Sequence, residues 1–217
     1  MVQVLTVSSK ATKYFFAMRK PTDLRQKVLE ASLALIEEGG LDRLSMREVA
    51  RKAGVSHQAP YHYFDDREAI LAALAGEGFS KLGQSLVRAA AQSGAEPVEA
   101  VEAMGRAYVE FALRNPAYFQ AMFRADAVPL DRYPDARKLE DEAFGKLVDG
   151  IDQAFAHHPA EVRQAIAVAA WAMVHGLATL ILEGSFARKL KIPRARQRQM
   201  ANEVIGTFMR LLGNNSR

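Results

Sequence analysis

Apolar residues recur along most of this chain at intervals of three and four, and its longer apolar runs are alanine-rich rather than short and β-branched. Such spacing lines side chains along one face of an α-helix, where alanine loses the least entropy, so the fold class is all-α with about nine helices. Leu24, Val28, Ala31 and Leu35 mark a first stripe, widened by Leu29 and Ile36 and ended by Gly39-Gly40. Ile70, Leu71, Leu74, Phe79, Leu82 and Leu86 mark a longer one opened by Asp66. Further helices are expected from Pro97 to Asn115-Pro116, over 117–124, through Phe144, Leu147 and Ile151, over 160–183 and over 196–212. With 217 residues, 49% of them apolar, the chain has room for a flexible basic arm over 1–21, a small domain over 22–70 and a larger one over 71–217.

Several classes of chemistry drop out. There is no cysteine, which excludes disulfides, thiolate zinc sites and cysteine nucleophiles. No Gly-rich phosphate loop, Gly-x-Ser-x-Gly elbow or His-Glu-x-x-His run is present, so an enzyme or a helical carrier is the remote reading, and neither a cofactor nor a metal is expected. His157-His158 lacks carboxylates at metal spacing and is placed in an exposed loop. Residues 164–182 are uncharged but broken by His175, Gly176 and Thr179, which suits a buried helix better than a membrane span. The first residues lack the basic, apolar, small order of a signal peptide, so a cytoplasmic protein without membrane contact is expected. The net charge of +4 decides little, and the basic run at Arg188, Lys189, Lys191, Arg194, Arg196 and Arg198 is expected to be a solvated loop.

One short segment carries more specific information. Ser45-Met46-Arg47-Glu48 forms a capping box, in which the Ser45 hydroxyl takes the Glu48 N–H and the Glu48 carboxylate reaches back. A helix to about Ala53 follows, then Gly54 in a left-handed turn, Val55 packing inward, and Ser56 capping a third helix that carries His57 to Phe64. A helix entering the major groove needs small or hydrogen-bonding residues near its start. Gln58 can pair with adenine, His57 can donate to or accept from base edges, and the Ala59 methyl can touch a thymine methyl. Tyr61, His62 and Tyr63 offer polar tips to phosphates, flanked by Arg47, Arg51 and Arg67. Double-stranded DNA is one partner this pattern fits; a helical hairpin of some other protein, where a capping box and a Gly-Val-Ser turn also occur, is the other reading of the spacing.

Leu44-Ser45-Met46-Arg47-Glu48-Val49-Ala50, Ala53-Gly54-Val55-Ser56 and Tyr61-His62-Tyr63-Phe64 with Arg67-Glu68 resemble the N-terminal domain of the TetR family over about fifty residues. The resemblance implies a homodimer that binds a palindromic operator and releases it when a small molecule enters the C-terminal domain. A constitutive DNA-binding protein or an activator without effector control is the alternative. Pro60 departs from the aliphatic residue usual in the family; it lacks the N–H that would bond to the Ser56 carbonyl, so the first turn is distorted or the helix starts later.

In the C-terminal half, Trp171-Ala172-Met173-Val174-His175-Gly176 resembles a motif of one subclass of TetR-like regulators, and Asn115-Pro116-Ala117-Tyr118-Phe119 with Met122-Phe123 another part of it. Trp171 and His175 share a helix face. His175 reads either as a hydrogen-bonding partner for an apolar or aromatic effector, in a pocket lined by Met104, Phe111, Tyr118, Met122 and Phe123, or as a core histidine satisfied by a carbonyl. The last two helices should pair with their copies in a dimer through Ile166, Ala170, Met173, Leu177, Leu180, Val204, Phe208 and Leu211, unless these belong to the intrachain core.

Overall fold

The computed structural model describes residues 21–94, 96–124 and 129–214, and among these nine α-helices and three short 3-10 turns make up the regular structure, with no strand. The basic arm expected over 1–21 lies outside the described residues except for Pro21. The chain divides into two compact units, one ending at Ile70 and the other beginning at Leu71.

In the first unit, helix α1 (Pro21–Gly39) packs against helix α2 (Met46–Ala53). Val28, Leu29, Leu35 and Ile36 of α1 meet Met46, Val49 and Ala50 of α2, all buried. Burying Met46 and Val49 stabilises this unit by about 1.5–3 kcal/mol each, more than the intrinsic propensity of so short a helix can supply. Ser45 caps α2, its hydroxyl accepting the Glu48 N–H at 3.2 Å. The Glu48 carboxylate turns to Arg51 instead of reaching back, at 2.7 and 3.0 Å, so half of the expected capping box forms. At the other end, Gly54 takes φ 66°, its N–H donating to the Arg51 carbonyl at 3.3 Å while the Val55 N–H donates to the Ala50 carbonyl at 3.0 Å. That pair of bonds is a Schellman stop, which needs the left-handed conformation glycine adopts without strain.

The third α-helix expected from Ser56 does not form. In its place is a 3-10 turn at Pro60–His62, reached through a turn at His57 and Gln58. Pro60 supplies the reason. Without its N–H, the Ser56 carbonyl is taken one residue early by the Ala59 N–H at 3.0 Å, and Tyr61, His62 and Tyr63 continue the three-residue spacing by donating to Gln58, Ala59 and Pro60. Pro60 and Phe64 are buried, and the Arg25 guanidinium lies 5.4 Å over the Phe64 ring.

Helix α3 (Arg67–Gln92) starts in the first unit and continues through the second. Asp66 accepts the Ala69 N–H at 2.8 Å and so opens it. The second unit adds α4 (Pro97–Arg114), α5 (Pro116–Phe123), α6 (Pro134–Ala154), α7 (Ala160–Leu182), α8 (Ser185–Leu190) and α9 (Arg194–Asn214). Its core forms around α4, which packs against α5, α6, α7 and α9. The number of α-helices agrees with the sequence while their identity shifts: one is lost at residues 57–64 and α8 is gained. The basic run is therefore largely helical, since Arg188 and Lys189 end α8 and Arg194 opens α9.

Helix α7 is long and apolar enough to cross a membrane by length and composition, but only a third of its apolar window is buried inside the chain. The expectation of a buried helix holds for one side alone. Ile166, Ala170 and Leu177, expected at a dimer interface, are buried within the chain, and Met173 lies half-buried beside them. The exposed side carries Val162, Ala165, Val168, Ala169, Ala172 and Leu180. On α9, Val204 and Phe208 are half-buried and pack on the intrachain cores, leaving Leu211 exposed.

Candidate DNA interface and ligand cavity

The first candidate site lies on α2 and the turn after it. Because Met46, Val49 and Ala50 occupy the buried stripe, Arg47 and Arg51 stand on the exposed side. Beyond Gly54, Ser56, His57, Gln58, Tyr61, His62 and Tyr63 are all exposed, and the His57 and Tyr61 rings lie 5.9 Å apart on the same outer edge. Ser45 is exposed as well, its hydroxyl committed to the cap. Two expected contacts change character. Ala59 is 9% exposed and faces the core beside Pro60, so its methyl is not presented to a base. Arg67 is half-buried, and its guanidinium donates to the Leu41 carbonyl at 2.8 Å, tying the start of α3 to the Leu41–Arg43 turn.

Not every cation here is equally available. Arg51 is held by Glu48, whose carboxyl it draws below the usual range, and Lys52 does the same to Glu38. These exposed pairs are weak and screened by salt, so a phosphate can compete for either cation. The chemistry on offer is a short polar edge able to read bases, bordered by guanidinium groups and phenolic hydroxyls able to meet a phosphate backbone.

The second candidate site is a cavity of about 300 Å³ inside the second unit. Its lining comes from α3 (Phe79, Leu82, Leu86), α4 (Val101, Met104, Tyr108), α7 (Ala170, Trp171, Val174) and α9 (Ile205, Met209), with Phe123 from the end of α5 and a face of α6 completing it. Of the residues expected around an effector, Met104, Phe123 and Trp171 line it. The others do not. Phe111 is buried in the core, the Tyr118 hydroxyl donates to Glu77 at 3.0 Å, and Met122 packs where Gly78 leaves a notch in α3. A Cβ at Gly78 would stand 2.6 Å from the Met122 sulfur, so a larger residue there would require the Met122 side chain to shift.

His175 also stands off the cavity. Its Nδ1 is 2.9 Å from the Tyr108 hydroxyl, and its ring packs against Phe119 at 5.3 Å and Phe123 at 4.7 Å. Burial holds the imidazole below its ordinary pKa and pushes the Tyr108 phenol well above its own, so both partners are neutral at pH 7. His175 is thus half-buried, with a tyrosine hydroxyl where the core-histidine reading expected a carbonyl. Tyr108, Arg137, Glu140 and Asp141 line the cavity without having been singled out in the sequence, as does Phe144, named there only as a helix marker. The last four recur at helical spacing on α6 and carry a legible signal, because a charged face interrupted by a phenylalanine is not a purely solvated one. Among the described residues no group of three potential ligands could hold a metal ion.

Both units match known proteins. Residues 28–74 match the bacterial regulatory proteins of the tetR family, and residues 101–204 match the tetracyclin repressor-like C-terminal domain. The HTH-type transcriptional repressor KstR of Mycolicibacterium smegmatis is 30% identical over 143 residues, 64% of this chain and 70% of that protein. KstR of Mycobacterium tuberculosis is 30% identical over 128 residues, 57% of this chain but only 58% of the relative's own length. Among solved structures, the TetR family regulator PfmR of Thermus thermophilus shares the fold, with a TM-score of 0.65 at 20% identity over 84% of this chain and 97% of that one. A capped helix, a glycine stop and an exposed polar edge in the first unit, joined to a helical second unit that matches the family's C-terminal domain, place this chain in the TetR family of DNA-binding transcriptional regulators.

Proposed function

We propose that the protein is a homodimeric repressor that grips a palindromic operator through Ser45, Arg47, Arg51, Ser56, His57, Gln58, Tyr61, His62 and Tyr63, and releases it when a small, largely apolar molecule fills the cavity of the second unit. The observation that carries this reading is the cavity itself. A constitutive DNA-binding protein has no use for about 300 Å³ of apolar space left open by its side chains, whereas an effector-controlled one requires it. Gln58 is assigned to base reading, Arg47 and Tyr61 to phosphates, and His175 to holding Tyr108 against the cavity instead of touching the effector.

A palindrome requires two reading edges related by a two-fold axis, spaced by roughly 34–36 Å, or one turn of DNA. The exposed side of α7 supports such pairing, with Val162, Ala165, Val168, Ala169, Ala172 and Leu180 presenting a mostly small, apolar surface on which two helices can approach closely. Because α3 carries the cavity residues Phe79, Leu82 and Leu86 and has its first residues in the DNA-reading unit, a tilt of α3 on ligand entry is the proposed route of release.

The test is binding of the purified protein to the intergenic DNA beside its own gene at low salt. A protected palindrome is expected, with Arg47→Ala and Tyr61→Ala each weakening binding about tenfold and Gln58→Ala relaxing preference at one base position. Absence of any protected site, or full discrimination by the Gln58 variant, overturns the assignment.

A further inference from the structure

The cavity is apolar in depth and charged at one place only. Leu82, Val101, Met104, Val174 and Ile205 are buried and offer hydrocarbon, while the Tyr108 hydroxyl beside them already engages His175 and the Trp171 side chain. The more exposed lining residues are Arg137, Asp141 and Phe144 of α6 and Trp171 of α7, with Glu140 half-buried beside them, and they mark where the cavity opens. At that rim one guanidinium is shared by three carboxylates. Arg137 lies 2.7 Å from Asp131, 3.4 Å from Asp141 and 3.5 Å from Glu140, leaving two negative charges uncompensated.

Phe144 and Trp171 flank the same opening, edge to face at 5.6 Å and 38% and 39% exposed, so ring surface is available there. Aromatic faces attract cations and repel anions. The rings and the carboxylates thus select for the same sign, although they are independent features from two helices. An acid arriving at this rim meets net negative charge and has to displace a carboxylate from Arg137; an ammonium group meets neither obstacle.

We propose that the effector is an organic cation, with an apolar body inside the cavity and an ammonium group at the rim between the Glu140 and Asp141 carboxylates and the rings of Phe144 and Trp171. At about 30 Å³ for each water-sized group, the cavity holds roughly ten such groups, which sets the size of the body. The inference rests on reading the cavity as an effector site. Burial pushes the Glu140 carboxyl above its ordinary range, and a cation beside it would relieve that cost.

Phenylbutylamine, phenylbutanol and phenylbutyrate share one apolar body and differ only in the charge of the head. Trp171 is the sole tryptophan, so its emission reports occupancy of the rim in the full chain. The amine is expected to bind about tenfold more tightly than the alcohol, with the acid weakest. Glu140→Gln combined with Asp141→Asn should bring the amine to the level of the alcohol while leaving the alcohol unchanged. Arg137→Gln should act in the opposite sense and strengthen amine binding. The proposal is overturned if the acid binds as tightly as the amine, if the double variant keeps the preference, or if none of the three binds. Selective binding of the amine supports it whether or not operator DNA is released in the same samples; retention of DNA would count against effector-controlled release alone.

Discussion

Two residues decide more than their size suggests. Gly54 ends α2 at φ 66° with open space around it, so any larger residue there is opposed by backbone conformation and not by a clash. His175 is decided by its surroundings: aromatic burial keeps it neutral, and the Tyr108 hydroxyl is its partner. Because its pKa in the fold lies below the unfolded value near 6.5, its contribution to stability is complete above that pH and is lost as pH falls through the lower, folded value. Thermal midpoints measured from pH 7 down to pH 5 should therefore fall less steeply for His175→Gln than for the parent; identical slopes would mean that the imidazole is not held neutral. Tyr108→Phe should cost about 1 kcal/mol at pH 7, from the imidazole nitrogen it leaves without a partner, and denaturant unfolding measures it. The pairing was invisible in the sequence because Tyr108 and His175 lie 67 positions apart and nothing local couples them.

At the scale of elements, helices that local chemistry controls were legible and the one that local chemistry forbids was misplaced. The α2 boundaries follow from Ser45 and Gly54, each acting within one turn. The segment after Ser56 has a cap and a helix-like composition, yet Pro60 withdraws one N–H and three-residue spacing takes over. Restoring that donor in Pro60→Leu should let 57–63 relax toward an α-helix, seen as helical Cα chemical shifts, with a gain of about 1 kcal/mol. Shifts unchanged from the parent would place the cause of the 3-10 geometry in tertiary packing around Phe64. The variant should also alter base preference, since His57, Gln58 and Tyr61 would be re-aimed.

For the whole molecule, the exposed side of α7 is the feature the rest of the proposed function depends on, because two reading edges require a pair of chains. Ala172→Arg puts a charge in the middle of that side without touching the core stripe at Ile166, Ala170 and Leu177. It should shift sedimentation to the monomer and abolish tight operator binding while the helical signal persists; a dimer of unchanged mass would move the interface elsewhere. What residue order alone determined was the all-helical class and the capped helix with its glycine stop, because periodicity and capping act over a few residues and leave a local imprint; the family came from the resemblance of the motifs around that helix. Only tertiary structure decided which side of α7 is core and which is free, which of the aromatic residues enclose space, and that a charged face on α6 borders that space. A helix apolar on nearly every side carries no mark of which half its neighbours will cover, and a cavity is a property of surfaces brought together from six helices.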